Sequence, residues 1–243
     1  MDKNIHYVYT NTDQEEVARL LSKYDLTTIC VLNDQNCLIG IVTADDVLDI
    51  LTEEATEDIH KMSGIVPTDG SYLKTGIKEM VKSRISWLLI LMISATFTGY
   101  ILQYFEDKLS ALAILSASIP IIMSTAGNAG AQSSTMVIRG IAVDDLNIKD
   151  IFIVLKKELA VGLLCGVILF VTNFIRLYIF GSKSTTFSIS FVVSLTITIS
   201  LISANLAGGI LPLIAKKLKM DPASAAAPLI TTIVDATSLI TVS

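Results

Sequence analysis

From Ile85 onward the chain passes through five long apolar stretches, roughly Ile85–Tyr104, Leu109–Val137, Ile151–Phe180, Phe187–Ala215 and Ala223–Ser243. A helix needs about 20 apolar residues to cross a hydrocarbon core about 30 Å thick, and each stretch is about long enough. Lipid offers no water to satisfy backbone N–H and C=O groups, so runs of this length must satisfy their own as helices. The expected fold is a polytopic α-helical membrane protein with five transmembrane helices per subunit, preceded by a small α/β motif. The net charge of −5 averages two unlike parts, because the residues before Ile85 are polar and acidic. The opening MDKNIHYVYTNTDQEE has no apolar core of a secretory signal, so the N-terminal part is expected in the cytoplasm. Basic residues agree: Arg139, Lys149, Lys156 and Lys157 fall between spans two and three, and Lys216, Lys217 and Lys219 between spans four and five. The other side holds Lys108 and Lys183, with Arg176 near a span end. That bias favours a cytoplasmic N-terminus and an external C-terminus, and the expected location is the plasma membrane, crossed several times.

Three regions follow: 1–60 as a cytosolic motif, 61–84 as an amphipathic connector helix and 85–243 as the membrane domain. In the first, Thr12 and Glu15 have capping-box spacing before a helix carrying Val17, Leu20, Leu21 and Tyr24. Thr28–Leu32 and Leu38–Val42 read as strands joined by the turn Asn33-Asp34-Gln35-Asn36. Thr43 and Asp46 form a second capping box opening a helix at Ala44. The pattern ending GIVTADDVLDIL resembles a CBS motif, a unit that folds in tandem pairs, and a single copy stands here without its mate. The stretch from Asp45 to Asp58 holds seven carboxylates: Asp45, Asp46, Asp49, Glu53, Glu54, Glu57 and Asp58. One reading is a solvated helix face. The other is a sensor for a divalent cation, since hard cations take oxygen ligands and like charges at spacings of three and four repel until a cation arrives. The connector's Lys74, Lys78, Lys82 and Arg84 suit an anionic membrane surface. Cys30, Cys37 and Cys165 have no metal-type spacing, and His6 and His60 are isolated.

Asp235 is the one acidic residue inside ASAAAPLITTIVDATSLITV, and helical spacing puts Ser224, Pro228, Thr231, Asp235 and Ser238 on one face, opposite Leu229, Ile233 and Ile240. Charge at membrane depth is costly and marks a bundle interior or a wet path. Span two, with IPIIMSTAGNAGAQSSTMVIRG, carries a second polar face of Asn128, Gln132, Thr135 and Arg139 beside Gly127 and Gly130. Small residues alone would be explained by helix packing; the amides and hydroxyls together point to a pore face. Asp221 before Pro222 reads as an N-cap and N1 pair at a pore mouth. A single carboxylate holds a dication poorly, whereas a two-fold dimer brings two copies of Asp235 to one axis. Two aspartates among hydroxyls and carbonyls suit a hydrated magnesium ion.

These residues closely resemble the MgtE family of magnesium channels or transporters. The likeness runs from about residue 10 to the C-terminus through GIVTADDVLDILTEEATEDIHKM, WLLILMISA, GNAGAQSSTMVIRG, KKELAVGLLCG and DPASAAAPLITTIVD. It implies a homodimer with an ion path between spans two and five, magnesium at Asp235, and a lining from the positions of Gly127, Ala131, Thr135, Ala227 and Thr231. It also implies regulatory magnesium at the acidic CBS–connector region and makes Thr43 and Asp46 candidates for ATP. The family's acidic helical N domain and first CBS motif have no counterpart in this sequence, and Ala131 and Ala227 stand where members can carry an amide. The expected function is magnesium transport with cytosolic divalent-cation sensing. The alternatives are a broader channel for cobalt, nickel or manganese, or a non-transporting regulatory subunit. No nucleic-acid partner and no enzyme activity are expected: an intramembrane aspartyl hydrolase needs paired carboxylates, which a dimer could supply from Asp235, but no leaving-group or substrate motif accompanies them.

Overall fold

The computed structural model describes residues 6–68, 72–104, 113–143, 146–181 and 186–242; along 113–116, 225–229, 231, 238–240 and 242 it describes backbone only. The chain divides into two compact units, Met1–His60 and Lys61–Ser243.

The first unit holds strands β1 (Tyr7–Tyr9), β2 (Thr28–Leu32) and β3 (Leu38–Thr43) with helices α1 (Gln14–Lys23) and most of α2 (Ala44–Met62). The sheet order is β1-β2-β3, with β1 parallel and β3 antiparallel to β2. Val8, Val17, Ala18, Leu21, Ile29 and Val47 close the core. The β2–β3 turn forms because the Asn33 side chain accepts the N–H groups of Gln35 and Cys37, while Asn36 takes a positive φ of 59° that Asn tolerates. The expected Thr12 cap is corrected. Asp13 is the N-cap of α1 and accepts the Glu15 N–H at 2.9 Å, because the Thr12 hydroxyl is already engaged by the Tyr9 N–H in the turn that leaves β1. Strand β1 has no counterpart in the sequence reading.

The second unit is built on α3 (Ile77–Tyr104), α4 (Ala113–Val143), α5 (Ile151–Phe180), α6 (Phe187–Lys217) and α7 (Pro222–Val242), with a 3₁₀ turn at Ile148–Asp150 leading into α5. Among the described residues three helices are long and apolar enough to cross a membrane: Ile77–Tyr104, Ile148–Phe180 with its leading turn, and Phe187–Lys217. Two boundaries differ from expectation. Helix α3 runs unbroken from Ile77, so the latter part of the connector and the first span are one helix, and α4 continues to Val143, so Arg139 stands on a helix rather than in a loop. Lys108 and Lys183 lie outside the described residues.

Helix α6 is the axle, packed against α4, α5 and α7, while α3 leans on α7. Small residues permit this. Gly162 and Gly166, one turn apart on α5, let the backbone of α6 approach at Ile202 and Thr198, and the Thr198 hydroxyl donates to the Gly166 carbonyl at 3.1 Å.

Candidate functional site

Helices α4 and α6 cross at Gly130 and Gly208. A Cβ at Gly208 would overlap the Gly130 carbonyl oxygen, and one at Gly130 would come within 2.9 Å of Ile230 on α7. Beside this crossing the buried Ser133 hydroxyl donates to the Asn205 carbonyl at 2.9 Å, fixing the rotation of α4 about its axis. Ala126, Ala129, Ile230 and Val234 fill the interior around it.

With that rotation fixed, α4 turns its other face outward. Asn128, Ala131, Gln132, Thr135 and Arg139 are exposed, and the space over Gly127 is open. On α7, Val234 is fully buried against this crossing, and Asp235, about 100° further round, is half-buried without a hydrogen-bond partner among the described residues. Thr232, on a third face, shares a short hydrogen bond with Ser94 of α3. The side chains of Thr231 and Ala227, like those of Pro228 and Ser238, lie outside the described residues.

Asp221 caps α7. Its carboxylate accepts the Ala223 N–H at 2.9 Å and the Ser224 hydroxyl at 3.1 Å, and pairs with the Lys61 ammonium at 2.7 Å. Desolvation is the largest influence on its acidity and would raise its pKa, but Lys61, the Ala223 N–H and Ser224 together hold it below the ordinary value. Sequence reasoning missed Lys61, which stands at the last turn of α2 and offers no local pattern toward α7. The residues after it are equally tied: Met62 packs on the core shared by α4, α6 and α7, the Trp87 indole of α3 occupies the space where a Gly64 side chain would stand, and the Val66 N–H bonds the Ser83 carbonyl at 2.9 Å. Gly64 has φ +69° and no room for a side chain, so glycine is required there twice over.

In the first unit the seven acids are strung along α2, and among the described residues no three His, Cys, Asp or Glu side chains group to hold a metal. Asp45, Asp46, Asp49, Glu53 and Glu57 share about a third of the helix circumference, and Glu54 lies elsewhere, accepting from Gln14 at 2.6 Å. Thr43 donates its hydroxyl to Asp46 at 2.6 Å, and its N–H donates to the same oxygen at 3.2 Å. These two ATP candidates are therefore bonded to each other as the opening of α2.

Residues 119–243, which include the α4 face, Asp221 and Asp235, match the model of the MgtE family, described as divalent cation transporters. The chain belongs to this family. Residues 1–53 match the CBS domain model. Among curated relatives, the magnesium transporter MgtE of Thermus thermophilus is 40% identical over 240 residues, covering 99% of this chain and 52% of that protein. That of Bacillus subtilis is 36% identical over 230 residues, covering 94% and 49%, and that of Enterococcus faecalis is 30% identical over 240 residues, covering 99% and 52%. The chain thus spans about half the length of the relatives it matches. With a family of membrane transporters on one side and apolar helices of spanning length on the other, it is a multi-pass membrane protein.

Proposed function

We propose that the chain carries magnesium across the plasma membrane through a pore formed where two copies meet along α4 and α7, with Asp235 as the ion's carboxylate. The observation that carries this reading is the outward polar face of α4. Asn128, Gln132, Thr135 and Arg139 are exposed on a helix packed along α6, with Ala131 and Met136 exposed among them, while Ala126, Ala129, Val137 and Ile138 are buried. Lipid against such a face is unfavourable, whereas a water-lined path between copies satisfies it. The ion keeps much of its hydration, so hydroxyls, amides and the small Gly127 and Ala131 are suitable lining, with Thr231 and Ala227 on the α7 side. In this reading α4 and α7 are spans two and five of a five-span subunit with its N-terminus in the cytoplasm.

The acidic face of α2 is proposed as the cytosolic divalent-cation sensor, with regulatory magnesium between its carboxylates, and Thr43 and Asp46 as the place where ATP would meet the CBS unit. Exposed Ile39 and Ile41 on β3, with Leu48 and Leu51 on α2, favour a second CBS motif as cover.

The test is growth rescue of a magnesium-uptake-deficient bacterium by the chain as written and by Asp235→Asn at matched membrane expression. Rescue by the parent alone supports the reading; rescue by both removes Asp235 from the path. Because the matched family is described for divalent cations in general, cobalt, nickel and manganese are run as competitors, and equal passage of all four would replace magnesium with the broader cargo.

A further inference from the structure

A charged group stands at a membrane boundary on α5, away from the α4–α7 face. The helix has no charged residue from Leu159 to Ile175, about 26 Å at 1.5 Å per residue. That nearly equals the hydrocarbon thickness, so Glu158 and Arg176 mark its two boundaries. At the second boundary Arg176 is built in rather than left to swing. Its Nε and Nη2 donate to the Asn173 Oδ1 at 3.2 and 2.8 Å, and the buried Asn173 donates through Nδ2 to the buried Ser194 hydroxyl of α6 at 2.9 Å. The polar relay lies where the end of α5 packs on the start of α6: Phe170 meets Phe191 and Phe174 meets Phe187 edge-on, with ring centroids 5.4 and 5.2 Å apart.

A guanidinium has five N–H donors, and Asn173 engages only part of that set. No carboxylate pairs with Arg176 among the described residues, and the following GSKSTT segment contains none. The side chain is exposed at the level where hydrocarbon meets headgroups. Tyr178, also exposed there, is of the type enriched at that level. We propose that Arg176, oriented by Asn173 and Ser194, binds the phosphate of an anionic phospholipid at the leaflet where α5 ends. The planar fork suits a phosphate with two free oxygens, and the net negative lipid supplies the charge that a zwitterionic one cancels.

The test is native mass spectrometry of the detergent-purified chain titrated with phosphatidylglycerol, phosphatidylcholine or inorganic phosphate. The parent is expected to retain phosphatidylglycerol over phosphatidylcholine, and Arg176→Gln to retain it about tenfold more weakly, the scale of one charge-assisted contact. Arg176→Lys keeps the charge without the fork and should fall between them, which keeps the test decisive if the Gln variant fails to fold. Equal retention by the parent and every variant that folds overturns the site. Displacement of the lipid by inorganic phosphate at equal concentration overturns the lipid as its occupant. None of these readouts depends on ion transport, so the pore reading and this one fail separately.

Discussion

Asp221 serves two roles that substitution separates. As the N-cap it accepts from Ala223, and as an anion it pairs with Lys61. Asp221→Asn keeps a good capping acceptor and loses the pair; Asp221→Ala loses both. The Asn variant is expected to cost under about 1 kcal/mol, because the pair is part-exposed and screened, and the Ala variant about 1–2 kcal/mol, read as thermal unfolding of the purified chain. The acid dependence has a definite sign. The folded carboxylate is held below its ordinary value, so its contribution is complete above the unfolded value near 4 and is lost as pH falls through the lower folded one. Acidification should therefore narrow the gap between parent and Asn variant; a gap constant from pH 7 to pH 3 would disprove it. Glu15 runs the other way. Desolvation first, then the charges of Asp58, Glu54 and Asp13, raise its pKa against the pull of Arg19. Its ionised form is thus disfavoured in the fold, stability being fullest below the unfolded value and lost as pH rises through the raised one. Glu15→Gln should stabilise the first unit at neutral pH by less than about 1 kcal/mol, seen in its hydrogen-exchange protection. The Asp221 cap was legible in sequence because cap and proline are neighbours. Its Lys61 partner was not, since an ion pair between distant residues leaves no local pattern.

At the scale of elements, the strands β2 and β3 were readable from alternating apolar residues around an Asn-rich turn, while β1 was not. Its pairing with β2 is parallel and needs the crossover helix α1 in between, so nothing within Tyr7–Tyr9 announces it. The polar face of α4 was readable because its spacing is periodic. The reason that face points outward was not, since it depends on Gly130 meeting Gly208 across two helices. This crossing gives a sharp prediction. Gly208→Ala forces a methyl into a backbone carbonyl that cannot step aside, and should strongly reduce the folded fraction recovered from membranes. Ser133→Ala, which removes only the hydroxyl bond to Asn205, should fold and lose about 1 kcal/mol. Size-exclusion profiles of the two variants in detergent decide it: comparable monodisperse peaks would mean that α4 and α6 are not in backbone contact.

For the whole molecule the question is what covers the outward face of α4. A closed two-fold assembly repeats one patch on both copies, so residues close to the axis meet their own mates. This gives the pore reading a geometric consequence independent of ion flux. With Cys30, Cys37 and Cys165 replaced by serine, a single cysteine at Ala131 or Gln132 should cross-link copy to copy under mild oxidation in native membranes. One at Leu164, exposed on α5 away from that face, should not. The comparison must be made in the membrane, where both sites are held at hydrocarbon depth and random collision affects them alike. Cross-links at the α4 positions and none at Leu164 would put two polar faces together and bring the two Asp235 carboxylates toward one path. Equal yields would mean collision only. A cross-link at Leu164 alone would place the copies back to back on α5, leaving each α4 face without its mate and the ion without a second carboxylate.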